Sequence, residues 1–315
     1  MPCNVHIHRR AWSLLAFGAT ASALHAHGPI SHQGESGPYW QWNFEPHITL
    51  NLLLLAGVYA LGLMRLWRSA GWGKVVPLWR AAAFAAGVVT CVLALLSPID
   101  LLSAQLSSVH MIQHMLLMNL AAPLLVLGSP LLVMLWALPS ARRKVWAGRM
   151  QRFNAWPLRS YAFWQPLLLW TLYALVLWVW HVPRFYQAAL RNELVHDLQH
   201  LLFLLSACLF WRVLLDSLSR FRLSQGAGVV YLFTTSLHAT VLGVFMALAP
   251  SVWYPDYEPL TGAFNLTALE DQQLAGLIMW MPACAIYAIV AAISFGLWLR
   301  HSEQAHSRRT VENSA

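Results

Sequence analysis

Charge is scarce in this chain. Asp, Glu, Lys and Arg make up 10% of its 315 residues, against about 25% in soluble domains, which excludes an ordinary water-soluble fold. Cysteine is scarcer still: Cys3, Cys91, Cys208 and Cys284 form no CxxC. A disulfide framework, a thiolate zinc site and, without CxxCH, a c-type haem attachment are therefore excluded. Also missing are a glycine-rich phosphate loop, GxSxG and HExxH. The apolar runs carry neither paired carboxylates nor the row of mid-membrane charges that ion-coupled pumps use. No catalytic constellation remains, and the chain is read as a non-enzyme.

What it has in abundance is apolar length. Its 58% hydrophobic content falls in successive runs of roughly twenty residues, each able to cross a hydrocarbon core of about 30 Å. A backbone in lipid must satisfy its own hydrogen bonds, so such runs are helices. The expected fold is an all-α integral membrane bundle of seven transmembrane helices, near 47–66, 79–98, 112–137, 163–181, 194–215, 227–249 and 271–299. The third is too long for one straight crossing, and Pro123 and Pro130 predict kinks in it. Ahead of the spans, Arg9-Arg10, the apolar stretch from Ala11 to Leu24 and small residues up to Ala26 follow the order of an export signal. Residues 1–26 are expected to be a signal peptide or an uncleaved amino-terminal helix. Residues 27–46 form an outer polar segment, 47–299 the transmembrane domain and 300–315 a cytoplasmic tail.

The net charge of +8 reports topology rather than a nucleic-acid partner, because basic residues collect in cytoplasmic loops. Arg65, Arg68, Lys74 and Arg80, six basic residues between Arg142 and Arg159, then Arg212, Arg220, Arg222 and the tail arginines all fall on one side. Nine of the 12 acids, Asp100, Glu193, Asp256 and Asp271 among them, fall on the other. The amino terminus is thus expected outside and the carboxyl terminus inside.

That orientation places the histidines. His110-x3-His114 and His196-x3-His200 open the third and fifth spans at the outer face. Four residues advance a helix by about 6 Å and little more than one turn, so both rings of a pair face the same way. The arrangement suits a transition-metal ion or a haem; the plainer alternative is helix capping by imidazoles bonded to loop carbonyls. His181 ends the fourth span and Asp271 opens the seventh at the same level. Asp271 is a ligand, a group that orients a histidine, or an ordinary amino-terminal helix charge. Met111, Met115 and Met118 run beside the first pair, as core packing or as soft thioether ligands suited to Cu(I). His238 falls near the midplane, where an ionisable group faces the bundle interior. If the signal is cleaved after Ala26, His27 becomes an amino-terminal copper chelator. The aromatic run from Trp253 to Tyr257 is a candidate interfacial anchor or partner contact.

Four stretches carry a resemblance: His110–His114 running on to Ala122–Pro130, Trp178–Tyr186, His196–His200, and Asp271–Gly276 with Trp280. In this order they resemble the polytopic CtaG-type cytochrome c oxidase assembly factors of bacteria, over about residues 47–299. The resemblance implies a multi-pass protein of the bacterial plasma (inner) membrane that assists maturation of haem–copper oxidases. Its implied partners are cytochrome c oxidase subunits, extracytoplasmic copper chaperones and membrane lipid, and its implied cargo is copper. The expected ligands are His110, His114, His196 and His200, with His181, Asp271, Met111 and Met115 as auxiliaries. Two rival readings stand beside this one. A copper transporter would extend the path through His238, and an electron carrier would hold a haem between the third and fifth spans.

Overall fold

The computed structural model describes residues 40–155, 161–216 and 222–314. The expected signal peptide, His27 and Cys3 lie outside the described residues. The described chain is all-helical, without strands. Six of its helices are long and apolar enough to cross a membrane, or seven if one bent pair is counted as a single span.

Helix α1 (Pro46–Ala70) is followed by α2 (Leu78–Leu95), and the short α3 (Pro98–Ser103) leads into α4 (Ser107–Leu127). The third apolar run departs here from the single long span, 112–137, read from hydropathy. It begins earlier, so that His110 and His114 lie inside α4, and it breaks at Gly128–Ser129. Ser129 takes a left-handed conformation (φ 52°), and Pro130 then starts a separate helix, α5 (Pro130–Ala137). Pro123 leaves its trace as well. Proline cannot donate to the carbonyl four residues back, and the preceding turn, Leu116–Ala121, widens into a π-helix.

After α6 (Ser140–Ala155), helix α7 (Tyr161–His181) meets α8 (Pro183–Arg191) at a bend of 72°. Pro183 forces Val182 out of the helical region, which ends α7 at His181 and folds α8 back. Helix α9 (Glu193–Leu215) is capped by Asn192, whose side chain accepts from the Val195 N–H. Helix α10 (Gln225–Ala247) and the long α11 (Ala268–Ser314) complete the bundle, joined by short turns over 255–264.

Helix α4 is the central element. Of its most apolar stretch, 61% is buried, against 11% for α1. One face, with Met111, Met118, Ala122 and Val126, joins a core built with α7 to α11. The other, with Leu117, Ala121 and Leu125, joins a core built with α1, α2 and α5. Small residues permit close approach where side chains would not fit. A Cβ on Gly62 would stand 2.0 Å from the Val133 carbonyl oxygen of α5, and one on Gly276 of α11 would stand 2.6 Å from the Gly243 carbonyl oxygen of α10.

Candidate metal centre

The two histidine pairs meet because α4 and α9 lie side by side. Within α4 the His110 and His114 rings have centroids 4.3 Å apart, and within α9 those of His196 and His200 are 4.2 Å apart. Across the helices, His110 lies 5.2 Å from His196 and His114 lies 5.4 Å from His200. His181 reaches the group from the end of α7, 6.4 Å from His114. His110, His114 and His200 each offer a ring nitrogen within 4.8 Å of the others.

The outer-face position read from sequence leaves depth open, and the structure buries the cluster: His110, His114, His181 and His200 are 0%, 1%, 3% and 5% exposed, and only His196 is partly open. The cover comes from α8 and the 255–264 turns. Tyr186 on α8 sets its ring 5.1 Å from His110, and Tyr254 stacks on Tyr186 at 3.9 Å. Arg191 holds this cover down through two bonds to Asp256, at 2.7 and 2.8 Å. Tyr254 and Tyr257, read from sequence as part of an interfacial anchor or partner contact, are therefore interior residues, 1% and 2% exposed. Burial raises both phenols above their ordinary range, so each acts as a neutral hydroxyl.

The hydrogen bonds determine which nitrogens carry protons. Tyr257 donates its only hydroxyl proton to the Ser103 carbonyl, 2.9 Å away. Its contact with His110 Nδ1, at 3.1 Å, must therefore run the other way, with Nδ1–H donating. The Nε2 lone pair of His110 then accepts from His114 Nε2–H at 2.9 Å. His181 goes further: Nδ1 donates to the Leu177 carbonyl at 2.7 Å, and Nε2 is buried without a partner. An imidazole oriented by one nitrogen and bare at the other is the usual metal-ligand arrangement. His114 Nδ1 and His200 Nε2 are likewise buried without partners, each a cost in the absence of a ligand.

His110 Nε2 and His114 Nε2 stand 2.9 Å apart. Two nitrogens at that separation, each about 2.0 Å from an ion, subtend about 90° at it. An ion would replace the proton these two nitrogens share, with a nitrogen of His200 within 4.8 Å of both.

Asp271 plays a different part in this geometry. Fully buried, it accepts from Ser107 N and Oγ at 2.6 and 2.7 Å, and from Ser108 N and Oγ at 3.2 and 2.5 Å. Both oxygens are engaged in capping the amino terminus of α4, three and seven residues ahead of the paired histidines. Among the auxiliaries, Met111 is buried in the core that includes Tyr186 and Phe203, while Met115 Sδ accepts from Asn119 Nδ2 at 3.2 Å. His238 stands apart, packed edge-on against Trp170 at 5.3 Å, with both ring nitrogens unpartnered.

A second group lies above the cluster. Glu45, His47 and Glu193 offer ligand atoms within 4.8 Å of one another, and His47 Nε2 lies 2.9 Å from Asp197 Oδ2. On α9, Glu193, His196, Asp197 and His200 recur at one-face helical spacing. Exposure along this stripe falls from the open Glu193 to the buried His200.

Asp100 links the two levels. Its carboxylate accepts from Gln113 of α4 at 2.9 Å and from Asn43 at 3.3 Å. Burial pushes the Asp100 carboxyl up from 3.8 to about 6; the charges of Glu45 and Asp197 add to the rise, and the Gln113 and Asn43 bonds oppose it. Its contribution to stability is thus fully present below 3.8 and is lost as the pH rises through about 6. The span is worth about 3 kcal/mol. Melting curves of the wild type and Asp100→Asn between about pH 4 and pH 7 should diverge by this slope. Parallel curves would refute it.

The site tyrosines and serines escape sequence reasoning. Tyr257 lies 147 residues from His110, and Ser107 and Ser108, though beside His110 in sequence, gain their role through Asp271, as many as 164 residues away.

The family model for the cytochrome c oxidase caa3 assembly factor (Caa3_CtaG) matches residues 57–301, a range that contains the whole histidine cluster. Among curated proteins, the chain is 24% identical over 268 residues to an uncharacterized protein of Mycobacterium leprae, covering 84% of this chain. It is 25% identical over 276 residues to one of Mycobacterium bovis, covering 85%. The chain spans 40% of the length of each. No solved structure matches it significantly.

Proposed function

The chain belongs to the cytochrome c oxidase caa3 assembly factor family, and from that premise we propose that it carries copper as cargo in the buried histidine cluster and passes it to the oxidase. The observation that carries the proposal is the pair of Nε2 atoms 2.9 Å apart, within a group of buried imidazoles of which three offer ring nitrogens within 4.8 Å of one another. Neutral imidazoles serve both Cu(I) and Cu(II). One ion is held by His110, His114 and His200, with His196 and His181 close enough to exchange in as ligands. Delivery is then ligand exchange with the oxidase or a copper chaperone at the outer membrane face, without turnover of a substrate. The stripe from Glu193 through His196 and Asp197 to His200, with Glu45 and His47 at its mouth, is a stepwise path for a cation from water to the cluster. Both rival readings have less support. Centroid separations of 4.2–6.0 Å among packed rings favour an ion over a haem, and His238 does not continue the cluster.

Purified protein should hold one copper and no haem; a Soret band with reducible α and β bands would sink the proposal. A deletion strain should keep normal copper uptake and lose oxidase activity, which separates delivery from transport. Tyr257→Phe removes the acceptor that sets the His110 tautomer. Copper affinity should fall by about ten- to a hundredfold with the melting temperature little changed, by competition with a chromogenic chelator. Unaltered affinity would remove Tyr257 from the site.

A further inference from the structure

The opposite end of the molecule carries a second, unrelated site. Where α1, α5 and α6 meet, a cleft of about 480 Å³ is lined by Arg65, Arg68 and Arg143, with Trp136, Pro139 and Ser140 in its walls, and none of its lining residues is acidic. The Arg143 guanidinium carbon lies over the Trp136 ring, 3.8 Å from its centroid. That contact holds the guanidinium in the cleft and leaves N–H donors for another acceptor. Arg65 bonds the Ala137 carbonyl at the end of α5 and retains further donors. The first turn of α6 opens into the cleft at Ser140, adding backbone N–H groups and the positive end of a helix dipole. Three guanidinium groups gathered without an acid repel one another, and an anion removes that cost.

The chemistry of the anion follows from the surroundings. Leu61, Met64, Arg65 and Arg68 lie on one face of α1 at helical spacing, and Leu61 and Met64 are 39% and 49% exposed. An apolar strip that turns basic over one helical turn matches a lipid tail continuing into a charged headgroup. We propose that this cleft binds the phosphodiester of an anionic phospholipid, with an acyl chain along Leu61 and Met64. The site is independent of the copper reading.

Native mass spectrometry of the detergent-purified protein, with phosphatidylglycerol and phosphatidylcholine of equal chain length, tests the proposal. Phosphatidylglycerol should be retained at least tenfold better. The preference should disappear in Arg68→Gln/Arg143→Gln, which leaves the Arg65–Ala137 bond in place, and survive in Arg222→Gln. Equal retention of the two lipids by the wild type would overturn it whether or not the variant folds. So would displacement of phosphatidylglycerol by millimolar inorganic phosphate, which would mark a plain anion site. Undiminished preference in the double variant would also refute it.

Discussion

Replacing His110 and His114 together by alanine should abolish stoichiometric copper binding, with affinity reduced by about a thousandfold or more, on the order of 4 kcal/mol. The two helices pack closely enough for His110, His114 and His200 to share one ion. His196→Ala/His200→Ala should therefore remove the same copper rather than half of it. Metal analysis of both double variants answers the one-ion question directly. Half occupancy in each would mean two separate ions, one per helix. Overall stability should change much less than binding. Alanine leaves small cavities, but it also removes buried nitrogens that have no partner without a ligand.

The second large effect is expected at Asp271. Asp271→Ala strips four acceptor contacts from Ser107 and Ser108 and leaves two N–H and two O–H groups buried. A loss of about 3–5 kcal/mol is expected, with Asp271→Asn intermediate because the amide keeps one acceptor. Copper affinity should weaken with it, since the first turn of α4 positions both histidines. X-ray absorption separates this positioning role from direct ligation. Copper bound to Asp271→Asn should show the same imidazole shell as the wild type. Loss of an oxygen ligand from that shell would instead make Asp271 a ligand.

The limits of the sequence reading are visible at particular residues. Apolar composition located the runs and Pro130 marked a kink in the third, but neither showed that the chain turns through a left-handed Ser129 into a separate helix. The left-handed Ser129 depends on how α5 packs against α1 through Gly62. Spacing placed each histidine pair on one helix face, and the nearly matching ring separations within the two pairs follow from helix geometry alone. It placed the cluster at the outer face without giving its depth, since nothing local to His110 or His200 signals that α8 and the 255–264 turns close over them.

By itself, then, the sequence determined that the chain is a membrane helical bundle and which side chains can act in pairs, because both depend on hydrophobic length and on the 3.6-residue period. Tertiary structure alone decided that the two pairs lie together in one largely buried cluster, that Tyr257 sets a tautomer and that Asp271 caps the helix bearing the first pair. These relations join residues as many as 164 positions apart. They arise from close packing, in which the partner of each polar group depends on the whole bundle.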